Sequence, residues 1–304
     1  MTEPRIELVD VFTKTPGRGN RAAVVLDAGG LTTEQMQAIA TAAPATETAF
    51  GIAPTQQAEH DLEVRYFSKT CELPLCGHAT IGFHYVRARR LGLDSQQLRV
   101  KTGAGLLPIT IERGEDDHRI VMTQGTPRVV GELTLTQRRL LLEALGLGEE
   151  HLVAGLPLQG VTTGHAKVLV AINSHAALAG LRPNRELLIA LSKELCIGGF
   201  FVFTLDRQVP EVLYHGRMFA PATGVDEDPV TGNANGPAGF YLASQGLFPT
   251  PREGEARYEA LQGEAMGRPG RIQVLLTLAG GKVERVRITG DAVLLDGCTG
   301  NRAL

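Results

Sequence analysis

The amino-acid sequence predicts an α+β protein built from two similar domains, each a curved sheet or barrel around a central helix. Many short apolar runs are separated by glycine-rich breaks, which is typical of short strands joined by tight connections. One helical segment is apolar on most of its faces, which indicates a buried helix. The order of elements begins again after a polar break at 125–127, which indicates an internal repeat.

Composition excludes several classes of protein. The chain of 304 residues carries 30 basic and 33 acidic side chains without a basic block, so we expect no nucleic-acid partner. It contains no run of about 18 apolar residues, and its N-terminus begins with strand-like alternation instead of a signal segment. We therefore expect a cytoplasmic protein with no membrane partner.

The four cysteines follow no recognisable pattern. Cys71, Cys76, Cys196 and Cys298 are too few and too irregularly spaced for a disulfide framework. The sequence has no CxxC motif, Cys/His cluster or HExxH motif, so we expect no metal. Any functional cysteine would act as a free thiol.

The first half of the chain predicts a series of short elements. Alternation over 6–12 and the apolar run 22–26 predict a hairpin. A threonine cap within 31–36, followed by Glu34 and Gln35 in the first turn, predicts a helix that ends near Ala43. Further strands are predicted at 46–52, 62–67, 98–100, 106–111 and 120–123.

A second helix is predicted from Gly77 to Gly92. Its central part, 81–91, is rich in small and apolar residues on several faces. A helix of this kind is normally buried, so we place it inside the curved sheet. The start of this helix, Cys76-Gly77-His78-Ala79, is similar to Thr231-Gly232-Asn233-Ala234 in the second half.

This repeat predicts two domains, at 1–125 and 126–304, and a final strand after Arg285 that would also fit the first domain. Ligands commonly bind in a cleft between two such domains, and we expect both helix starts, Gly77 and Gly232, to face it. Unpaired N–H groups and the positive end of the dipole make a helix start an anion binder, which fits a carboxylate substrate.

Glu47 stands among small and apolar residues at the predicted start of a strand. Burial there would raise the pKa of its carboxyl group toward the range useful for proton transfer. The alternative is a solvated glutamate at the edge of a strand.

Three consecutive carboxylates, Asp226, Glu227 and Asp228, precede the second helix start. Like charges this close raise one another's pKa values, which suits an acid or a base, and Asp228 is the residue we favour. Asp228 would also serve as the N-cap of that helix.

Cys76 directly precedes Gly77, where a helix N-terminus would stabilise its thiolate and raise its reactivity. A lone cysteine is more often a small buried hydrophobe. Thr231 occupies the matching place in the repeat, which argues against a racemase with two thiols. Among the histidines only His78 has positional support, and His165 is interpreted as a turn residue.

The chain resembles the PhzF-like family of phenazine-biosynthesis isomerases, which share the diaminopimelate epimerase fold. The resemblance spans nearly the whole chain, and the pair GHAT and DPVTGNA, in this order, is specific. Its marks are VDVFT with GN and AVVL at 9–26, ETAF at 47–50, ELPLCGHAT at 72–80, MTQGTP at 122–127, EDPVTGNA at 227–234, QGEAMGRPGRI at 262–272 and ITGDAV at 288–293.

The resemblance implies a cofactor-independent isomerase and a homodimer. Glu47 would take a proton from one carbon of a small carboxylate substrate and return it to another, with His78 and Asp228 assisting. In the family's best-known member the substrate is trans-2,3-dihydro-3-hydroxyanthranilate. The implied substrate contacts are Asn20, Cys76, Gly77, Ala79, Thr231, Gly232, Asn233 and Ala234.

The chain departs from the family pattern at two places. Asn233 stands where the phenazine enzyme has a serine, so a different group would touch the substrate. Cys76 and Thr231 stand where epimerase relatives carry two thiols, and relatives with one thiol and one Thr or Ser are similar to dehydratases. A Cys76-dependent epimerase or dehydratase, and a non-catalytic metabolite-binding protein, are therefore the alternatives.

Overall fold

The structure is a computed structural model that describes residues 4–295, so Cys298 lies outside the described residues. The chain forms two compact units. Of the described residues, the first unit contains 4–123 together with 289–295, and the second contains Gln124–Ile288. None of the described helices is long and apolar enough to cross a membrane.

The described residues form many short strands and six α-helices. The strands are β1 Glu7–Val11, β2 Asn20–Val25, β3 Glu47–Ile52, β4 Leu62–Ser68, β5 Glu72–Leu73, β6 Gln96–Thr102, β7 Gly105–Arg113, β8 His118–Thr123, β9 Arg128–Glu132, β10 Gln159–Thr162, β11 Lys167–Ile172, β12 Phe200–Thr204, β13 Tyr214–Ala220, β14 Val225–Asp228, β15 Gly254–Gln262, β16 Gly270–Ala279, β17 Lys282–Thr289 and β18 Ala292–Leu294. The helices are α1 Thr33–Ala42, α2 Gly77–Leu91, α3 Leu135–Leu145, α4 His175–Gly180, α5 Arg185–Leu195 and α6 Gly232–Ser244.

The first unit begins with the predicted hairpin. β1 and β2 pair antiparallel, with Glu7 opposite Val24 and Val11 opposite Asn20. β2 then pairs parallel with β3, and β3 pairs antiparallel with β4. β4 pairs antiparallel with β5 and parallel with β6, and β6 pairs antiparallel with β7. On its other side β1 pairs antiparallel with β18.

Helix α2 is the central helix of the first unit. Eleven of its fifteen residues are buried, which confirms the predicted burial. It contacts β1, β2, β3, β8 and β18, so strands from both ends of the chain cover it. A side chain on Gly82 would place its Cβ 2.8 Å from Val9, so glycine allows the helix to lie directly on β1. The helix ends at Gly92, which has a left-handed φ of 62°.

The second unit repeats these strand pairings in the same order. β10 and β11 pair antiparallel, β11 and β12 parallel, and β12 and β13 antiparallel. β13 pairs antiparallel with β14 and parallel with β15, and β15 pairs antiparallel with β16. β9 lies beside β10 as β18 lies beside β1. The predicted repeat is therefore confirmed, and α6 occupies the place of α2.

Three helices of the second unit, α3, α4 and α5, were not predicted. α3 and α5 begin after Thr134 and Asn184, whose side chains accept hydrogen bonds from backbone N–H groups in the first turn. Such residues are sequence signals for a helix start, and they could have revealed both helices. Both helices pack on β11 and β12 in an apolar cluster that includes Leu141 and Leu188.

Candidate active site

Glu47 and His78 meet in the first unit. Glu47 is the first residue of β3 and lies opposite Ala22 of β2. His78 is the second residue of α2, and its Nε2 lies 3.2 Å from Glu47 Oε2. Both residues are buried, with exposures of 9% and 5%. Neither of these two atoms forms a well-aligned hydrogen bond within residues 4–295, so their contact is mainly between charges.

The other nitrogen of His78 lies between two predicted substrate contacts. Its Nδ1 is 3.2 Å from Asn20 Nδ2 and 3.5 Å from Cys76 Sγ. Asn20 is the first residue of β2 and is fully buried. The amide of Asn20 donates to a neutral Nδ1, or, when turned over, accepts from a protonated one. Asn20 and Cys76 therefore fix the orientation of the imidazole ring.

The predicted rise in the pKa of Glu47 is wrong. Burial does raise the pKa of this carboxyl, but the adjacent His78 imidazolium, with a smaller contribution from Thr46, outweighs it. The net effect holds the pKa below its ordinary value. Glu47 is therefore ionised near neutral pH, which is the form that a general base requires.

His78 carries the opposite charge. Burial lowers the pKa of its imidazole, but neighbouring Cys76 and Glu47 raise it well above the ordinary value. The Cys76 thiol is neutral near pH 7 because its own pKa is raised, so the Glu47 carboxylate is the anion that keeps His78 protonated there. The pair is a buried carboxylate and imidazolium.

The predicted acidity of Cys76 is also wrong. Burial raises the pKa of its thiol, and the charge of His78 and the amide of Ala79 lower it by less. Cys76 is the N-cap of α2, but its side chain makes no capping hydrogen bond. The first amides of α2, at Gly77 and His78, therefore receive no side-chain cap.

The predicted residues of the second half lie around the start of α6. Thr231 is the N-cap of this helix, so the expectation that Asp228 would cap it is wrong. The Thr231 hydroxyl donates a hydrogen bond to Asp228 Oδ2 instead. Gly232, Asn233 and Ala234 form the first turn.

The three neighbouring carboxylates do not form the predicted cluster of like charges. They lie on strand β14, where successive side chains point to opposite faces. Asp226 pairs with Arg185 at 2.9 Å, and Glu227 pairs with Arg217 at 2.7 Å. Each of these two carboxylates therefore has its own cation.

Two buried glutamines that we did not single out hold the first turn of α6. Gln262 accepts from the Thr231 N–H at 3.1 Å and donates to the Asp228 carbonyl at 2.7 Å. Gln124 donates to the Gly232 carbonyl at 3.0 Å. Both glutamines lie inside motifs quoted above, MTQGTP and QGEAMGRPGRI, and that position is the signal that could have found them.

The described residues include two groups of side chains with the chemistry of metal ligands. Glu47, Cys76 and His78 form one, and His175, His215 and Glu264 form the other, with ligand atoms within 4.8 Å in each. In the second group His215 Nε2 accepts the Gln208 N–H, so its Nδ1 carries the proton and donates to Glu264 at 2.6 Å. Each group joins distant parts of the sequence, so no spacing motif reveals it.

Solved structures define the class of this fold. The chain is similar to the crystal structure of a Bacillus anthracis phenazine biosynthesis protein of the PhzF family, with a TM-score of 0.84 and 32% identity over 97% of this chain and 98% of that one. It is also similar to a probable proline racemase from Agrobacterium radiobacter K84, with a TM-score of 0.63 and 13% identity over 99% and 96%. The second likeness shows the fold alone. The predicted epimerase-like α+β fold is confirmed.

A sequence profile described as phenazine biosynthesis-like protein, PhzC-PhzF, matches residues 9–297, and the chain belongs to this family. The uncharacterized isomerase YddE of Escherichia coli K12 is 42% identical over 96% of this chain and 97% of that protein. The trans-2,3-dihydro-3-hydroxyanthranilate isomerase of Pseudomonas aeruginosa is 31% identical over 94% and 95%. These relatives confirm the prediction of a PhzF-like isomerase.

Proposed function

We propose that this isomerase moves a proton between two carbons of a small carboxylate-bearing substrate, with Glu47 as base and then as acid. One observation carries the proposal: the buried Glu47 carboxylate lies 3.2 Å from the His78 imidazole, and each group holds the other in its charged form. The carboxylate is already ionised, so it can accept a proton without first losing one. The imidazolium stabilises negative charge that develops beside it.

The reaction balances without a co-reactant. Glu47 removes a proton from a carbon next to a double bond, and the electron pair of that C–H bond forms a new double bond as the old one shifts. The protonated Glu47, which can first exchange its proton with water, then gives a proton to the carbon at the far end of the shifted system. General acid-base catalysis of this kind contributes roughly 10²–10⁴-fold, so orientation of the substrate must supply much of the rate.

A carboxylate on the substrate fits the start of α2. The amides of Gly77 and His78 lack a side-chain cap, and the positive end of the helix dipole favours an anion beside them. The relative from Pseudomonas aeruginosa, named for its action on a hydroxyanthranilate, also suggests an unsaturated cyclic acid. The assisting role predicted for Asp228 remains part of the proposal.

A thiol reaction is the second candidate. Cys76 Sγ lies 3.5 Å from His78 Nδ1, so an imidazole that had first lost its Nδ1 proton would be placed to take the proton of the thiol. The raised pKa of the thiol speaks against this route near neutral pH. An epimerase or dehydratase reaction would then depend on Cys76 and not on Glu47.

The test is NMR in D2O of a panel of small unsaturated, amino and hydroxy acids that includes trans-2,3-dihydro-3-hydroxyanthranilate. We expect the wild type to place deuterium on a carbon of at least one compound. Glu47→Gln should reduce this exchange by about 10²-fold or more, because a neutral amide cannot accept the proton. Glu112→Gln, at an exposed glutamate of β7, is the matched control and should exchange like the wild type.

Cys76→Ser separates the two mechanisms. Exchange that survives in Cys76→Ser and is lost in Glu47→Gln supports the proposal, while the reverse pattern assigns the reaction to the thiol. Binding of a panel compound without exchange in any variant would support a metabolite-binding protein instead.

A further inference from the structure

Lys167 holds the same place in the second unit that Asn20 holds in the first. Asn20 is the first residue of β2 and Lys167 the first residue of β11, and these strands have matching pairings. Asn20 reaches the imidazole of His78 at the start of α2. Lys167 is buried, with an exposure of 4%, and its ammonium is influenced by the charge of Asp228, which precedes α6.

The Lys167 ammonium is poorly satisfied. Within residues 4–295 its hydrogen bonding consists of one long contact, 3.4 Å to the His165 carbonyl. Burial lowers the pKa of this amine to about 8, although the charge of Asp228 opposes the shift. The amine is therefore still mostly protonated near neutral pH. A buried cation with so few acceptors is costly to keep, which indicates a role beyond packing.

The absence of a side chain at Gly198 leaves space for the Lys167 ammonium. A Cβ on Gly198 would lie 2.5 Å from Lys167 Nζ and 2.5 Å from the His165 ring, so a side chain there would displace both. The charge of Lys167 lowers the pKa of His165 to about 4, so this exposed imidazole is neutral and adds no second cation. Lys167 is thus a single positive charge in a place kept clear by glycine.

We propose that Lys167 is the centre of an anion-binding site in the second unit that takes the carboxylate of a small organic acid. A lone ammonium offers one positive charge and no planar fork, which suits a monoanion. Nearby Asp228 repels any anion at this place, and it repels a phosphate dianion more strongly than a carboxylate monoanion, which the Lys167 charge can offset. This inference goes beyond the reaction proposed above, because it concerns binding in the second unit and does not depend on chemistry at Glu47.

The register of the strands supports a difference in role between the two units. Glu47 lies opposite Ala22, the third residue of β2. Opposite Leu169, the third residue of β11, the second unit has Phe201. The second unit therefore has a cation where the first has Asn20, and a phenyl ring where the first has its base. This arrangement fits recognition of an anion without proton transfer.

The experiment compares the binding of anthranilate and of aniline, which lacks the carboxylate, by isothermal titration calorimetry. We expect the wild type to bind anthranilate more tightly than aniline. Lys167→Met should weaken anthranilate binding by about 10- to 100-fold and leave aniline binding unchanged, because a charge-assisted hydrogen bond is lost. Gly198→Ala, which keeps the lysine but displaces its ammonium, should weaken anthranilate binding in the same way.

Lys193→Met, at an exposed lysine of α5, is the matched control and should bind like the wild type. A failure of the proposed reaction is seen separately in the D2O exchange experiment, which does not measure anthranilate binding. The melting temperature of Lys167→Met should equal or exceed that of the wild type, because a costly buried charge is removed. Undetectable anthranilate binding by the wild type, unchanged binding by Lys167→Met, or a lower melting temperature of that variant would each overturn the proposal.

Discussion

At the scale of single residues, Glu47 and His78 determine each other's charge. Each is buried, and burial by itself disfavours the charged form of both side chains. Their contact reverses that outcome, since the pKa of Glu47 is lowered and the pKa of His78 is raised. The site thus contains a base in its ionised form and a cation beside it before any substrate binds.

This pair should stabilise the fold most strongly in a defined range of pH. The lowered pKa of Glu47 stabilises the fold above the ordinary value of 4.5, and this stability is lost as pH falls through the folded value. The raised pKa of His78 stabilises it fully below the ordinary value of 6.5, and this stability is lost as pH rises through the folded value. Both contributions are therefore present from 4.5 to 6.5.

The variant His78→Gln tests this range. We expect a loss of unfolding free energy of roughly 3 kcal/mol within the range, because the Glu47 carboxylate remains buried without its cation. The difference from the wild type should shrink toward both lower and higher pH. Urea unfolding at a series of pH values measures it, and a difference that is constant with pH would contradict the assigned charges.

The sequence predicted the structural roles of residues, such as helix caps and helix ends, more reliably than it predicted their ionisation states. Thr32 caps α1 and Gly92 ends α2, as predicted, because such signals act within a few residues of the chain. The pKa of Glu47 was predicted in the wrong direction because it depends on His78, which is distant in sequence. The ion pair of Asp226 with Arg185 could not be predicted for the same reason, because Arg185 lies on another element.

At the scale of elements, the first turn of α6 depends on Gln262. This side chain, fully buried at the end of β15, bonds to Thr231, Asn235 and the carbonyl of Asp228. The glutamine amide thus connects a strand end, a helix cap and the residue before the cap. It holds in place the turn that carries Gly232 and its amide.

Gln262→Ala should release this turn. Several buried donors and acceptors would lose their partner, so we expect a loss of unfolding free energy of roughly 2–4 kcal/mol. Gln97→Ala, at an exposed glutamine of β6, is the control and should change stability by less than about 0.5 kcal/mol. Chemical unfolding measures the unfolding free energy of both variants. Equal values for Gln262→Ala and Gln97→Ala would show that Gln262 does not support the helix start.

At the scale of the whole molecule, the two units share one order of strand pairings but have different side chains at matching positions. The repeat was visible in the sequence because glycines and small residues recur at the helix starts, Gly77 and Gly232. The chemistry at matching positions was not visible, because it depends on strand register. Only the strand register shows that Phe201 in the second unit occupies the position that Glu47 occupies in the first, and that Lys167 occupies the position of Asn20.

The strand β18 should protect β1 from solvent exchange. Val293 lies opposite Asp10, and proline at this position cannot donate to the ladder. In Val293→Pro we expect the β1 amides to exchange with solvent at least about 10-fold faster, while the β15 amides keep their protection. Hydrogen exchange followed by NMR measures both strands, and unchanged protection of β1 would show that β18 contributes little.

The pairing of β1 with β18 also has a consequence during synthesis of the protein on the ribosome. Leu294 must be translated before it can pair with Val9, so until then the first unit has an open strand edge at β1. The second unit is continuous in sequence and needs no residue beyond Ile288. The unit that contains Glu47 and His78 is thus completed after the second unit, and it acquires its base and imidazolium in a finished fold only once β18 has been synthesised.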